Sequence, residues 1–184
     1  LSRRQRQMCI RDRYGCARGL RDVLYLTIGT GVGAGVLVEG NLLHGAMHPE
    51  AGHMLVRTRP SEEGRCICPS HESCLEGLAS GPAIAARWGK PAAELAGNDE
   101  VWEREGDYLG QMCANLVLMY SPRRIVLGGG VMHQKQLFDI VRKKTLEYLG
   151  GYIQAPELED MDSYICAPGC GCLLYTSPSP RDIS

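Results

Sequence analysis

The stretch over residues 44–74 constrains this chain most. It has too little apolar periodicity to be held by a core, yet it concentrates thiols and imidazoles. Its second part, residues 53–74, reads HMLVRTRPSEEGRCICPSHESC. Cys68, His71 and Cys74 stand at steps of three in a polar segment that contains Pro69 and Ser70. A tight turn there can aim a thiolate, an imidazole and a second thiolate at one centre. His53, heading a strand candidate over residues 53–57, would be the fourth ligand. Two sulfurs and two nitrogens with no open position suit a structural, tetrahedral Zn²⁺. Such a metal also supplies what the segment lacks, because ligand bonds can fix a loop that buries little apolar surface. Cys66 competes for a place: His53, Cys66, Cys68 and Cys74 would make a three-thiolate site, and free thiols in a polar loop are a further alternative. A nucleic-acid finger is disfavoured, because no basic recognition helix follows and the net charge is -1.

Ahead of this segment, residues 22–43 read DVLYLTIGTGVGAGVLVEGNLL. An apolar, β-branched run over 23–28 is followed by glycines at 29, 31, 33 and 35, a second apolar run over 36–38, and a turn at Glu39-Gly40-Asn41. This predicts a β-hairpin whose first connection is a glycine-rich loop over 28–35. Backbone N–H groups in such a loop can face phosphate oxygens, and Thr30 adds a hydroxyl beside Gly29 and Gly31. The loop is not a P-loop, since the GK[ST] ending is absent, and not a dinucleotide fingerprint, since a strand rather than a helix follows. A second cluster, Gly128-Gly129-Gly130, falls between a strand candidate over 124–127 and a helix. Either cluster alone could be a structural turn; two of them with a metal-held polar loop predict a ligand cleft. Glu50, within HPEAGH over 48–53, and Glu76 can each accept hydrogen bonds from several hydroxyls, which suits a polyol or sugar. The alternative is two surface carboxylates.

From residue 75 the period becomes helical, with helices over 75–88 (interrupted near Gly81-Pro82), 91–95, 101–119 and 134–149, and strands over 124–127 and 163–167. Strands alternating with helices read as α/β, and 184 residues suffice for one domain with a real core. No apolar run reaches the length of a membrane span, and the basic start lacks the apolar stretch of a leader, so a cytoplasmic protein without membrane or nucleic-acid partners is expected. Nine cysteines, three of them clustered beside histidine, favour metal over a disulfide framework. The ends look foreign: RRQRQMCIRDR over 3–13 and CLLYTSPSPRD over 172–182 resemble translated ends of a transposase-type sequencing adapter. Residues 1–13 and 172–184 are therefore read as tails and 14–171 as the biological part, the alternative being a basic arm and a Ser/Pro-rich tail. Without the tails 14 basic residues face 19 acidic ones.

LTIGTGVGAGVLVEGNLLHGAMHPEAGH, continued by CPSHESCLEGLASGPAIAARWGK, resembles the signature region of the ROK family of bacterial repressors and sugar kinases, and its fructokinase branch in particular. The likeness runs through nearly all of residues 22–171. It implies an actin-like ATPase, ribonuclease-H-like fold of two α/β domains, of which this chain holds mainly the C-terminal one with an inserted zinc loop over 53–74. It implies Gly29, Thr30 and Gly31 facing the β- and γ-phosphates of ATP, and Gly128, Gly129 and Gly130 beside the adenosine. Glu50, His53 and Glu76 would hold sugar hydroxyls, with His53, Cys68, His71 and Cys74 on structural zinc. Many members carry a CxCGxxGC pattern with three Cys ligands. Here Cys66 stands for its first Cys, but the interval from Cys68 to Cys74 is one residue longer and contains His71, which favours the fructokinase arrangement. The implied reaction converts MgATP and a hexose to ADP and a sugar phosphate, with the 6-hydroxyl of fructose foremost and glucose, mannose and N-acetylmannosamine as alternatives. The family's general-base aspartate in a DNDAN-like motif and its N-terminal DxGGT-type loop, which handles phosphate and Mg²⁺, have no match in this sequence. The expectation is thus a homodimeric parent kinase and an inactive fragment. A sugar-responsive ROK repressor is the rival reading, because such repressors share this domain.

Overall fold

Val23–Ile28 (β1) is apolar at five of its six positions, as a strand covered on both faces requires. In the computed structural model, which describes residues 15–47, 49–62 and 65–169, β1 is the centre of a five-stranded sheet. The stretches read as foreign tails lie outside the described residues, as do His48, Cys170 and Gly171. β1 pairs antiparallel with β2 (Val32–Val38), which turns through Glu39-Gly40 into β3 (Asn41–Leu42). Both turn residues have positive φ, and the Glu39 N–H donates to the Asp22 carboxylate at 2.8 Å, so the turn is pinned from beside β1. On its other side β1 pairs parallel with β4 (Arg124–Gly128), and β4 with β5 (Ile165–Cys166), giving the order β3-β2-β1-β4-β5.

The alternation of β1 sorts its side chains between two clusters. Leu24, Leu26 and Ile28 join Ile125 and Leu127 of β4 in the main core, under the helices. Val23 and Tyr25 join Leu37 and Val126 in a smaller cluster that also takes in Ala17 and, at its margin, Cys16 and Cys166. The expected loop over 28–35 is shorter than its glycines suggest. Only residues 29–31 turn, while Gly33 and Gly35 pair with Thr27 and Tyr25. The antiparallel ladder takes up any backbone whose N–H and C=O fall in register, with or without a side chain.

Leu75–Ala79 (α1) and Gly81–Trp88 (α2) are separated at Ser80, which ends the first helix and N-caps the second by accepting from the Ala83 N–H. Asp99–Tyr120 (α3) and Gln136–Leu149 (α4) cover the main core, and a short Met161–Tyr164 (α5) leads into β5. The segment expected as a helix over 91–95 is a 3₁₀ turn at Ala92–Leu95, whose last carbonyl accepts from the Trp102 indole N–H at 2.8 Å. The strand expected over 53–57 does not form. A 3₁₀ turn at Ala51–His53 gives way to a single bridge between Leu55 and Cys74. The reason lies in what faces it, an irregular loop that offers one antiparallel pair and no more. The buried Gln111 side chain of α3 takes the place of a further strand, accepting from the Arg57 N–H at 2.8 Å and donating to its carbonyl at 3.0 Å.

α3 lies flat on α4 because Gly106 and Gly110, one turn apart, present bare backbone there. A Cβ at Gly106 would run into the Ile140 side chain, and one at Gly110 into Lys144 Cβ. Gly110→Val is expected to lower stability by about 1–3 kcal/mol through overpacking. Gly97→Ala, where an added Cβ meets nothing within 4 Å, should stay within about 0.5 kcal/mol of the parent sequence. Urea unfolding midpoints at unchanged m-value measure both.

Candidate metal centre and ligand cleft

Two backbone hydrogen bonds bring the ends of the polar segment together, and a third closes the turn that carries His53. The Met54 carbonyl accepts from the Leu75 N–H at 3.0 Å, the Ser73 carbonyl from the Val56 N–H at 3.0 Å, and the Glu50 carbonyl from the His53 N–H at 2.9 Å. His53 thereby stands beside Cys74, the N-cap of α1, whose sulfur accepts from the Gly77 N–H. The Pro69-Ser70 turn swings Cys68 and His71 onto the same point. His71 Nδ1 lies 3.3 Å from Cys68 Sγ, and His53 Nδ1 lies 3.7 Å from Cys74 Sγ and 3.9 Å from Cys68 Sγ. The ligand atoms of all four residues lie within 4.8 Å of one another. A tetrahedral centre with zinc-like bond lengths has edges of roughly 3.3–3.8 Å, so the donor set and its spacing fit such an ion.

Cys66, the competing ligand, turns away from that point, donating to the His71 carbonyl at 3.1 Å and lying 3.9 Å from the Cys74 carbonyl. It braces the loop from behind. The two cluster thiols stand in unlike surroundings. The Ser70 amide, and after it His71, draws Cys68 down to about 7, whereas burial pushes Cys74 up to about 12. Without a cation only one of them is readily ionised, so metal uptake must expel a proton from Cys74.

The centre is wired to the glycine turn. His53 aims Nδ1 at the cluster and Nε2 at Glu76 Oε1, 3.7 Å away, and the other oxygen of Glu76 accepts from the Val32 N–H at 2.9 Å. From the far side the Gly81 N–H donates to the Gly29 carbonyl at 2.7 Å. Residues 29–31 are thus held between α1 and the start of α2. Glu50 is exposed at the head of the 3₁₀ turn that carries His53.

Beyond this turn, at the carboxyl ends of the parallel strands β1 and β4, opens a cleft of about 550 Å³. Gly29, Thr30, Gly129 and Gly130 form its floor, with Pro82 and His133 on its walls. The chain leaves β1 toward β2 on one side and β4 toward β5 on the other. Open α/β sheets bind ligands at such divergences. The two floors meet only because Gly129, at φ 100°, lacks a side chain that would strike the Ile28 carbonyl. Gly128 lies below, buried at the strand end against the Tyr25 hydroxyl and Pro168, and Gly31 faces Glu76 rather than the cleft.

The site residues named from sequence therefore fall into two adjoining groups, a cleft with Gly29, Thr30, Gly129 and Gly130, and a metal side with His53, Glu76 and the three further ligands. Two residues escaped the sequence reading. Pro82 was legible only as a helix start, and His133 carries no signal beyond its place three residues after Gly130.

The sequence model of the ROK family matches residues 11–164. Over 159 residues the chain is 48% identical to a relative from Bacillus subtilis (strain 168), covering 86% of this chain and 53% of the relative. It is 43% identical over 157 residues to the fructokinase of Pediococcus pentosaceus, covering 85% and 54%. Among solved structures, the ROK hexokinase of Thermus thermophilus superposes with a TM-score of 0.70 at 28% identity, over 88% of this chain and 56% of that one. The chain spans about half the length of the curated relatives it matches.

Co²⁺ is a spectroscopic probe of the four-ligand centre. Thiolate-to-cobalt charge-transfer bands are expected in the parent sequence and in Cys66→Ser, and are expected to weaken in Cys68→Ser and in His71→Ala and to disappear when Cys68→Ser and Cys74→Ser are combined. Acidification should release the ion as protons compete for Cys68 and Cys74, with metal loss read by a chromophoric chelator.

Proposed function

The chain belongs to the ROK family, and from that premise we propose that its full-length parent transfers the γ-phosphoryl group of MgATP to a hexose, with fructose as the preferred acceptor and fructose 6-phosphate as product. The observation that carries the reading is the double contact of Glu76. One carboxylate reaches both the imidazole of a metal-centre histidine and the backbone of a glycine turn that borders a cleft. A sugar held on the Glu76 side and a nucleotide held on the cleft side would meet across residues 29–31.

In this reading the backbone of Gly29 and Thr30 faces the β- and γ-phosphates while Gly31 closes the turn toward Glu76, and Gly128, Gly129 and Gly130 shape the adenosine site, with Gly128 acting from beneath. Glu50 and Glu76 accept hydrogen bonds from sugar hydroxyls, and His53 donates to one through Nε2–H. Zn²⁺ on His53, Cys68, His71 and Cys74 would be structural, its coordination filled by protein. His53 is held in one tautomer, Nδ1 committed to the centre and Nε2–H left to donate toward Glu76 or a hydroxyl. This chain would supply mainly the C-terminal domain. The general-base aspartate and the loop that handles Mg²⁺ are assigned to the remainder of the parent, so the chain alone is expected to be inactive. Support for fructose comes from the fructokinase among the relatives and from the Cys/His ligand set.

The test is a coupled phosphorylation assay on the full-length parent, recovered from its genomic source, with MgATP and fructose, glucose, mannose or N-acetylmannosamine. Fructose should give the highest kcat/KM by at least about tenfold, a margin that one or two pocket contacts can set. Glu76→Gln should lower kcat/KM about 10–100-fold with metal retained, as the loss of a contact that acts at the reacting centre. Turnover of no sugar by the folded, metal-loaded parent would overturn the kinase reading and bring the sugar-responsive repressor forward.

A further inference from the structure

Two thiols that take no part in the metal centre or the cleft meet behind the sheet. Cys16 lies in the turn that leads into β1, and Cys166 ends β5, a sequence separation of 150 residues. Their sulfurs are 3.4 Å apart, with the Cys166 S–H donating to Cys16 Sγ. Each is anchored independently of the other. Arg124 of β4 donates to the Cys16 carbonyl, while Cys166 sits opposite Val126 in the β4–β5 register. Both are half-buried at the margin of the smaller apolar cluster, on the face of the sheet away from the helices.

We propose that Cys16 and Cys166 are a redox-responsive dithiol that closes to an intramolecular disulfide, stapling the segment before β1 to the edge strand β5. The charges around the pair favour the first step. The guanidinium of Arg124 faces Cys16 from β4, that of Arg142 approaches Cys166 from α4 while donating to the Ile165 carbonyl at 3.0 Å, and the Gly169 amide donates to Cys16. The Cys166 hydrogen bond foremost, then the Gly169 amide and Arg124, draws Cys16 down to about 6 against the opposing effect of burial. Cys166 moves the other way, because it holds the shared proton and is buried. The pair is therefore disposed to divide into a thiolate on Cys16 and a thiol on Cys166.

The oxidant is a low-molecular-weight disulfide, RSSR. Cys16 thiolate attacks one of its sulfurs, the S–S bond breaks, and RS⁻ leaves. Cys166 then loses its proton to that RS⁻ and attacks Cys16 Sγ, expelling the second RS⁻. Two protein sulfurs are oxidised by two electrons in all, and RSSR is reduced to RSH and RS⁻. The staple would fix residues 166–169, whose Pro168 packs on Gly128 at the base of the cleft.

The metal-loaded 184-residue chain is treated with oxidised glutathione and its peptides are mapped without reduction. A Cys16–Cys166 cross-link is expected, with Tm raised by roughly 5–10 °C and reversed by dithiothreitol. The chelator-measured metal content should not change. Alkylation of Cys16 in the reduced chain should follow pH with a midpoint well below that of an ordinary thiol, and Cys166→Ala should move that midpoint upward by removing the S–H donor. A Cys16–glutathione adduct that persists beside a free Cys166, or a Cys16 that stays freely alkylatable after treatment, would overturn the proposal. Both readings are made on the unaltered chain, so they hold even if the variant fails to fold.

Discussion

The carboxylate of Glu76 joins two parts of the molecule that have no covalent reason to be near each other. It sits on the first turn of α1, two residues after Cys74, so the loop that gathers the candidate metal ligands also fixes where Glu76 begins. One oxygen then accepts the Val32 N–H, the first donor of β2, and the other faces His53. If the ligand cluster loses its geometry, Glu76 loses its footing, and the turn at residues 29–31 loses one of its two clamps. The remaining clamp, the Gly81 N–H on the Gly29 carbonyl, comes from the start of the next helix. A polar loop with few apolar anchors therefore bears on the start of β2 through this carboxylate, beside the close approach of Gly52 to the Val32 carbonyl. Hydrogen bonds to an ionised acceptor are among the stronger ones available for that purpose.

Much of this was legible in the residues themselves. β1 could be placed to its ends, because five apolar side chains in six positions leave no other economical reading, and α3 could be found from its apolar spacing. The four residues that gather as a candidate metal centre could be narrowed to one set with Cys66 as rival, because thiols and imidazoles at those steps have few other uses. What could not be read were contacts set by tertiary placement. Nothing in a lone mid-helix Gln111 says that it will serve as the pairing partner of Arg57, 54 positions away. Cys16 and Cys166 look scattered in sequence and meet only because β1, β4 and β5 lie side by side. The expected strand over residues 53–57 failed for the same reason seen from the other side. Its pattern was adequate, but the fold offered it a loop and a glutamine instead of a strand.

The glycines divide in an instructive way. Gly33 and Gly35 were read as loop and turned out to be ladder, whereas Gly106 and Gly110 were read as ordinary helix and turned out to be the contact between α3 and α4. Among the described residues Gly129 alone combines a left-handed backbone with an approach to another strand's carbonyl. Counting glycines locates places where backbone is exposed to something; what that something is, whether a ligand, a neighbouring strand or a helix, depends on the elements around it.

The outermost strands of the sheet, β3 and β5, are two residues each. Such short borders present very few unsatisfied backbone donors and acceptors in a row. A second polypeptide seeking to pair with β3 or β5 would find a template of two residues, too brief for a stable added strand. β1 is paired on both sides, while β2 and β4 are bordered by those short strands only at Leu37 and Val38 and at Ile125 and Val126. The apolar centre of the sheet is thereby guarded against edge-to-edge self-association by its place between two paired neighbours.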